Sequence, residues 1–116
     1  MGIDDCVFCQ LIEKKLPSKM EYEDDDLAVF WDINRQAPTH LLIVPKKHIP
    51  KFSDFKDDDA YLMCKMMTVA KDVAEKLNLT EKGFRLVINE GRDSGQSIFH
   101  MHMHLLHGRR LMWPPG

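Results

Sequence analysis

The hydrophobic residues of this chain repeat with two different spacings, which indicates a mixture of strands and helices. Four segments rich in β-branched and aromatic residues are separated by polar turns, a pattern that predicts strands. These segments are residues 19–23, 27–33, 40–45 and 84–91. A fifth segment, residues 95–106, carries histidines that alternate with Phe, Met and Leu, as expected for a half-buried strand.

Two segments have helical spacing instead. Residues 6–12 predict a short amphipathic helix that is capped by Asp4 or Asp5 and ends before Pro17. A longer helix is predicted to open at residues 57–59, whose aspartates suit the positive end of the helix dipole. Its apolar stripe consists of Leu62, Met66, Val69, Val73 and Leu77. The order of elements predicts an α+β domain in which the helices cover one face of an antiparallel meander.

Length and composition narrow the class of protein. With 116 residues and 44% hydrophobic content, the chain fits one domain. A net charge of -2 argues against a broad nucleic-acid surface but allows a partner of nucleotide size. No apolar run approaches the roughly 20 residues that cross a membrane, and residues 1–5 are acidic without a signal-peptide core. Because Cys6, Cys9 and Cys64 lack the spacing of a disulfide framework, we expect reduced thiols and a cytoplasmic, or also nuclear, protein.

Three histidines dominate the candidate chemistry. His100, His102 and His104 alternate with apolar residues, so in a strand they share one face and lie about 6–7 Å apart. Two functions fit this spacing. One is a metal site, because neutral imidazole is the commonest metal ligand. The other is nucleophilic attack by histidine on a phosphate, with residues 95–97 supplying anion-binding donors.

Further motifs each allow two interpretations. Cys6 and Cys9 form a Cys-x-x-Cys pair, which in a reducing compartment is either a redox pair or half of a tetrahedral zinc site. Asp32 lies where the second predicted strand gives way to a loop, and it is either a turn cap or a carboxylate that binds paired hydroxyls, such as those of a ribose. His40 begins the third predicted strand and His48 follows it, and both gain a functional role if that strand lies beside the histidine segment.

Taken together, the motifs resemble a known family. The run of histidine, apolar, histidine, apolar, histidine, apolar, apolar at residues 100–106 is the signature of the histidine triad proteins. Further matching segments are residues 30–33, 36–40, 44–49, 89–91, 95–97 and 113–116. The chain is most similar to the histidine triad nucleotide-binding branch, whose members end in the Trp-Pro-Pro-Gly tetrapeptide found here at the C-terminal end.

The resemblance implies a fold, an assembly and an activity. The fold would be a single histidine triad domain over residues 1–116, with a five-stranded antiparallel sheet and two helices. Two copies would join their sheets into one ten-stranded sheet, giving a homodimer with two nucleotide sites and no nucleic-acid or membrane partner. The activity would be that of a purine nucleoside phosphoramidase, which hydrolyses phosphoramidates of AMP or GMP type through a covalent nucleotidyl-histidine.

The same resemblance implies roles for individual residues. His102 would be the nucleophile, His104 would hold the phosphate, and His40 would support the histidine relay. Asp32 would bind the ribose hydroxyls, and Trp113 would reach the partner subunit's site. The base would be enclosed by Phe8, Leu11, Phe30 and Ile33. The phosphate and leaving group would be lined by Asn89, Gln96 and Ser97, with Ser97 also among the catalytic residues.

Other histidine triad proteins carry the cysteine pair and bind zinc, so the resemblance also implies a structural zinc site. Its ligands would be Cys6, Cys9, His48 and His100. This leaves His102 and His104 for chemistry that requires no cofactor. His107 and Arg35 depart from the family pattern, and the sequence suggests no function for either.

Three other functions stay open at this point. One is a dinucleoside polyphosphate hydrolase of a sister branch, which the C-terminal tetrapeptide disfavours. The second is a nucleotide-regulated protein-interaction module in which hydrolysis is secondary. The third is a metal-dependent hydrolase built on the three histidines.

Overall fold

Residues 5–116 are described in a computed structural model, and they form a five-stranded antiparallel sheet with two α-helices. In chain order the elements are α1 (Val7–Ile12), β1 (Met20–Glu23), β2 (Leu27–Trp31), β3 (Thr39–Pro45), α2 (Ala60–Lys76), β4 (Arg85–Ile88) and β5 (Met103–His107). The strands are arranged β1-β2-β3-β5-β4. The predicted antiparallel sheet with two helices is confirmed, but the predicted meander is wrong because β5 inserts between β3 and β4.

The two helices lie on opposite faces of the sheet, so the prediction that both cover one face is wrong. The physical reason is that the central strands are apolar on both sides. One face packs against α2 through Leu27, Val29, Leu41 and Ile43. The other face packs against α1 through Ala28, Phe30, Leu42 and Val44. Because α1 has only six residues, it leaves part of this second face open.

Strand β5 starts at Met103, later than predicted, so only His104 of the three motif histidines lies within it. The neighbouring strand β3 explains why β5 begins only at Met103. The β3–β5 ladder ends at the Ile43–Met103 pair, and Pro45 follows two residues later in β3. Proline has no N–H for a ladder hydrogen bond, and the Pro45 carbonyl faces the side chain of His100 instead. The segment before Met103 therefore leaves the strand geometry.

The other strand and helix boundaries also differ from prediction, most of all for β4, which ends at Ile88, and two of these differences have a clear local cause. Strand β2 ends at Trp31, because Oδ1 of Asp32 accepts a hydrogen bond from the N–H of Asn34 and forms a turn. Helix α2 begins at Ala60, because the three aspartates before it form a short 3-10 turn.

Helix α1 begins at Val7 with Cys6, rather than Asp5, as its N-cap. The sulfur of Cys6 accepts a hydrogen bond from the N–H of Cys9 at 3.4 Å. Asp4, the other predicted cap, lies outside the described residues. The first cysteine of the Cys-x-x-Cys pair therefore also caps the helix.

Helix α2 is amphipathic, as predicted. Its buried residues are Leu62, Met66, Val69, Ala70, Val73 and Ala74. Tyr61, Cys64 and Met67 are exposed on the opposite side. Within residues 5–116, no helix combines the length and the apolar character needed to span a bilayer.

Candidate active site and metal centre

A cleft of about 390 Å³ opens between α1, the end of β2 and the segment before β5. Most residues assigned to the nucleotide by resemblance line it, namely Phe8, Leu11, Phe30, Asp32, Ile33, Ser97, His102 and His104. The walls are largely apolar, and a carboxylate, hydroxyls and two imidazoles provide the polar groups. This composition is typical of a small-ligand site.

Other lining residues were not singled out from the sequence: Val7, Leu16, Pro17, Ser18, Trp31, Leu42 and Ile98. Leu42 pairs directly with Phe30 across the sheet, so the correct strand register would have identified it. Residues 16–18 belong to an exposed connection after α1. Such a connection has no periodicity from which its contacts could be predicted.

Three assigned residues lie outside the cleft lining: His40, Asn89 and Gln96. Gln96 is buried and holds its own loop together. Its side chain accepts a hydrogen bond from the N–H of Gly91 and donates to the carbonyls of Pro50 and Ile98. Gln96 therefore fixes the backbone that presents Ser97 to the cleft.

The buried His102 has a defined tautomer. Its Nδ1 lies 2.8 Å from the carbonyl oxygen of His100, and because a carbonyl can only accept, Nδ1 carries the proton. Burial lowers the pKa of His102, so the ring is neutral at pH 7 and its Nε2 has a free lone pair. His102 thus has the protonation state of an imidazole nucleophile.

His40 and His104 form a hydrogen-bonded pair beside His102. The backbone N–H of Gln36 donates to Nδ1 of His40, so the proton of His40 is on Nε2. This Nε2 lies 2.9 Å from Nδ1 of His104 and donates to it. Burial lowers the pKa of both rings, that of His104 to about 4. The pair is therefore neutral at pH 7, and His104 keeps an N–H donor on its Nε2.

Asp32 is a turn cap, as one of its two interpretations predicts, and the hydroxyl-binding interpretation stays a prediction. Its Oδ1 accepts the turn hydrogen bond from the N–H of Asn34 at 2.8 Å. Its Oδ2 lies 3.4 Å from Nε2 of His40, and because that imidazole is neutral, the contact is not an ion pair. Asp32 is a turn cap that also presents a carboxylate to the cleft.

Four potential metal ligands converge at the N-terminal end of α1: Cys6, Cys9, His48 and His100. Their ligand atoms all lie within 4.8 Å of one another. The Nδ1 of His100 lies 3.2 Å from Sγ of Cys6, and Sγ of Cys9 lies 3.4 Å from Nδ1 of His48. Tetrahedral zinc bonds of about 2.0–2.3 Å place ligand atoms about 3.3–3.8 Å apart. The group therefore has nearly the spacing of a closed two-cysteine, two-histidine site.

The donor chemistry of this group also fits a metal. The Nε2 of His100 donates to the Pro45 carbonyl at 2.7 Å, so its Nδ1 faces the sulfurs with a lone pair. A carbonyl partner of this kind is typical of metal-bound histidine. Burial lowers the pKa of His100 to about 4 and raises that of Cys9 to about 12. A bound dication would favour the thiolate that burial alone disfavours.

A second convergent group fits a metal poorly. It consists of Asp32, His40 and His104. A metal on Nε2 of His40 would displace the proton there, but Nδ1 already accepts from the N–H of Gln36 and cannot take that proton without losing this bond. The described part of the chain has no ligand group that contains more than one motif histidine. The geometry thus favours a hydrogen-bond relay over a metal-dependent hydrolase built on the three histidines.

Three residues that the sequence analysis named lie outside the cleft: His107, Arg35 and Trp113. The Nδ1–H of His107 donates to the Gly83 carbonyl at 2.8 Å and joins β5 to the turn before β4. The guanidinium of Arg35 lies over the ring of Trp31, 4.9 Å from its centroid. Trp113 is 81% exposed. His107 and Arg35 therefore have structural contacts, whereas the indole of Trp113 is available to another surface.

Comparison with known proteins relates these features to a family. The model of the HIT domain matches residues 13–111. A purine nucleoside phosphoramidase of Escherichia coli is 41% identical over 108 residues, which cover 93% of this chain and 91% of that protein. The crystal structure of a HIT family hydrolase from Legionella pneumophila has a TM-score of 0.94 at 45% identity and covers 97% of this chain and 100% of that one.

A more distant structure shares the same fold. The histidine triad nucleotide-binding protein of Candida albicans has a TM-score of 0.82 at 30% identity, over 95% of this chain and 83% of that one. The domain match over most of the chain and the high identity to curated and solved relatives confirm the resemblance of the motifs. The chain belongs to the histidine triad, or HIT, family.

Proposed function

We propose that this HIT protein is a purine nucleoside phosphoramidase, which hydrolyses the P–N bond of phosphoramidates of AMP or GMP type. The observation that carries the proposal is the neutral His102, whose proton is fixed on Nδ1 by the His100 carbonyl at the wall of a nucleotide-sized cleft. The relative from Escherichia coli that is named for this activity supports it. The same relative favours this activity over dinucleoside polyphosphate hydrolysis.

The chemistry of the cleft supports one orientation of the nucleotide. Its base lies against the apolar walls formed by Phe8, Leu11, Phe30 and Ile33. Its ribose hydroxyls bind Asp32, and its phosphate binds Ser97 and His104. The contact between Asp32 and the His40–His104 pair supports this order, because the ribose and the α-phosphate of one nucleotide are neighbours.

The proposed reaction has two steps. The Nε2 of His102 attacks phosphorus while the P–N bond to the amine breaks, and the departing amine takes a proton from solvent. Water then attacks phosphorus in the nucleotidyl-histidine, the bond from phosphorus to Nε2 breaks, and a proton returns to solvent. This step releases the nucleoside monophosphate and restores His102. The N–H of His104 donates to a phosphoryl oxygen in both steps, and the division into two displacements makes each barrier lower.

A His102→Ala substitution tests the proposal. We expect AMP to bind within a few-fold of its original affinity, while cleavage of an adenosine phosphoramidate falls about a thousandfold or more, as for the loss of other histidines essential to catalysis. Rapid-quench mass spectrometry of the unsubstituted protein should find the nucleotidyl group on residue 102. His107→Ala is the matched control, because it removes an imidazole that does not line the cleft. Unchanged turnover of the His102→Ala variant would remove His102 from the mechanism.

We further propose that the two cysteines, His48 and His100 hold a structural zinc ion, and that the chemical step needs no cofactor. Zinc would join α1 to the segments after β3 and before β5. The fit of donor spacing and tautomer supports this site. Its free thiols suit a reducing compartment, and we propose the cytoplasm as the location.

We also propose a homodimer that forms through β4. This strand is at the edge of the sheet and all four of its residues are half-buried, whereas the opposite edge strand β1 is partly exposed. An apolar edge with unpaired backbone groups is a natural pairing surface. Two copies joined there give a continuous ten-stranded sheet, and the exposed Trp113 of one copy would reach the cleft of the other.

A further inference from the structure

Helix α1 belongs to both sites. Cys6 and Cys9 lie at the metal centre, while Phe8 and Leu11 from the same helix line the nucleotide cleft. The helix has six residues, and a helix of that length is not stable in water without side-chain anchors. Whatever holds its two cysteines therefore also sets the position of the cleft wall.

Phe8 lies between a metal-ligand candidate and the proposed nucleophile. Its ring centroid is 5.7 Å from that of His100 and 4.8 Å from that of His102, both in edge-on contact. The side chain is 2% exposed. Because a buried ring in a packed interior has little room, a shift of Phe8 changes its contact with both imidazoles.

His100 provides a second link between the sites. Its side-chain Nδ1 faces the sulfur of Cys6 at 3.2 Å, while its backbone carbonyl accepts the Nδ1–H of His102 at 2.8 Å. One residue therefore contacts the metal centre through its ring and orients the nucleophile through its backbone. Fixing the ring limits the movement of the carbonyl.

We propose that metal binding at Cys6, Cys9, His48 and His100 is thermodynamically coupled to nucleotide binding in the cleft. Phe8 is the positioning residue between the two sites, and the inference rests on the proposed function for its nucleotide ligand. A metal ion holds α1 against the sheet and so forms the wall that the base requires. Because coupling is reciprocal, a bound nucleotide must raise the affinity for the metal by the same factor.

The first experiment compares zinc-loaded protein with protein stripped by a chelator, after circular dichroism has shown both to be folded. We expect removal of zinc to weaken AMP binding about tenfold by calorimetry, within the range typical of coupled sites. AMP should raise zinc affinity by an equal factor in competition with a chromophoric chelator. Equal AMP affinity in the two folded forms would overturn the coupling. Failure of the zinc-loaded protein to bind AMP would overturn the proposed function, and the coupling with it.

A second experiment tests the coupling even if the protein unfolds when its zinc is removed. Cobalt(II) replaces zinc, and its visible absorption reports the geometry of the two thiolates and two imidazoles. We expect AMP to change this spectrum in the unsubstituted protein and in Cys64→Ser, whose altered residue is an exposed position on α2. The Phe8→Leu variant keeps all four ligands but should lose the spectral response at saturating AMP. An unchanged cobalt spectrum when AMP is bound to the unsubstituted protein, or a full response in Phe8→Leu, would overturn the proposal.

Discussion

Backbone groups set the tautomers of the histidines around the cleft. The His100 carbonyl places the proton of His102 on Nδ1, and the N–H of Gln36 places the proton of His40 on Nε2. Neither assignment depends on a titratable side chain. The tautomer of His102, the proposed nucleophile, is therefore set by a group whose charge does not change with pH.

This arrangement predicts the pH dependence of turnover. Burial disfavours imidazolium, so it lowers the pKa of His102 and His40, and it lowers that of His104 to about 4. The neutral rings consequently persist as the pH falls below the ordinary histidine value of about 6.5. We expect the acid limb of the pH profile of kcat/KM for an adenosine phosphoramidate to lie below this ordinary histidine value. The measurement is a pH–rate profile from which nonenzymatic hydrolysis is subtracted.

Asp32 is the charged neighbour of these three histidines, and its substitution provides a second test of the pH profile. The carboxylate of Asp32 favours imidazolium in all three histidines and so limits the fall in pKa. Asp32→Asn should therefore move the acid limb to still lower pH, whatever it does to KM. An acid limb centred at or above the ordinary histidine pKa would contradict the burial argument.

The local pattern singled out the alternating histidines, whereas the apolar lining residues Phe8, Leu11, Phe30 and Ile33 were assigned through the family resemblance. His102 and His104 were identified because they alternate with apolar residues, and both line the cleft although β5 begins only at Met103. The lining residues 16–18 could not be found, because they contact the cleft through a connection without periodicity. The contacts of Gln96 are equally invisible in the sequence, since its partners include a carbonyl 46 positions away.

Helix α1 is the element on which the two sites depend most. Its first turn is capped by the sulfur of Cys6, and its buried side chains pack against β2 and β3. With six residues, it has few backbone hydrogen bonds of its own. Its stability therefore comes from the groups that bind its side chains.

A Cys6→Ser, Cys9→Ser double variant tests the contribution of zinc to this element. We expect zinc per chain to fall from about one to near zero by elemental analysis. Loss of a ligand present at 100 times its Kd lowers the free energy of unfolding by about 3 kcal/mol. Thermal denaturation in buffered zinc should therefore show a decrease in Tm.

The control for this variant is Cys64→Ser, which removes the exposed thiol of α2. It should keep both the zinc content and the Tm of the unsubstituted protein. Equal metal content in the double variant and its parent would remove the zinc site.

Helices and strands with a clear hydrophobic period were predicted well, but the residues at which they begin and end were predicted less well. The apolar stripe correctly predicted the buried side of α2. The continuous apolar runs of β2 and β3 carried a signal of burial on both faces, and it is this burial that separates the two helices. The late start of β5 depends on Pro45 in another strand, which the local alternation of histidine and apolar residues does not reveal.

Over the whole molecule, the order of the strands is the feature that sequence least constrains. The β3–β5 pairing joins residues far apart in the chain. Local patterns identify both strands but contain no information on their pairing. The insertion of β5 leaves β4 at the edge of the sheet, and the proposed dimer depends on this placement.

A Val87→Lys substitution tests the dimer. Val87 lies on β4 next to Leu86 and Ile88, which pack against the core, while its own side chain points to the opposite face. A lysine on an edge strand opposes pairing through its charge. We expect the mass measured by light scattering to fall from that of two chains to that of one.

The matched control is Tyr22→Lys on β1 at the other edge of the sheet. It should leave the dimer intact. A monomeric parent protein, or a dimer that is lost in Tyr22→Lys but kept in Val87→Lys, would contradict pairing through β4.

Pro45 ends the β3–β5 ladder before it reaches the first two motif histidines. A residue inserted in a paired strand moves every later side chain to the other face, but the unpaired segment before Met103 is released from that rule. Evolution can therefore lengthen, shorten or re-aim this segment without rebuilding the sheet.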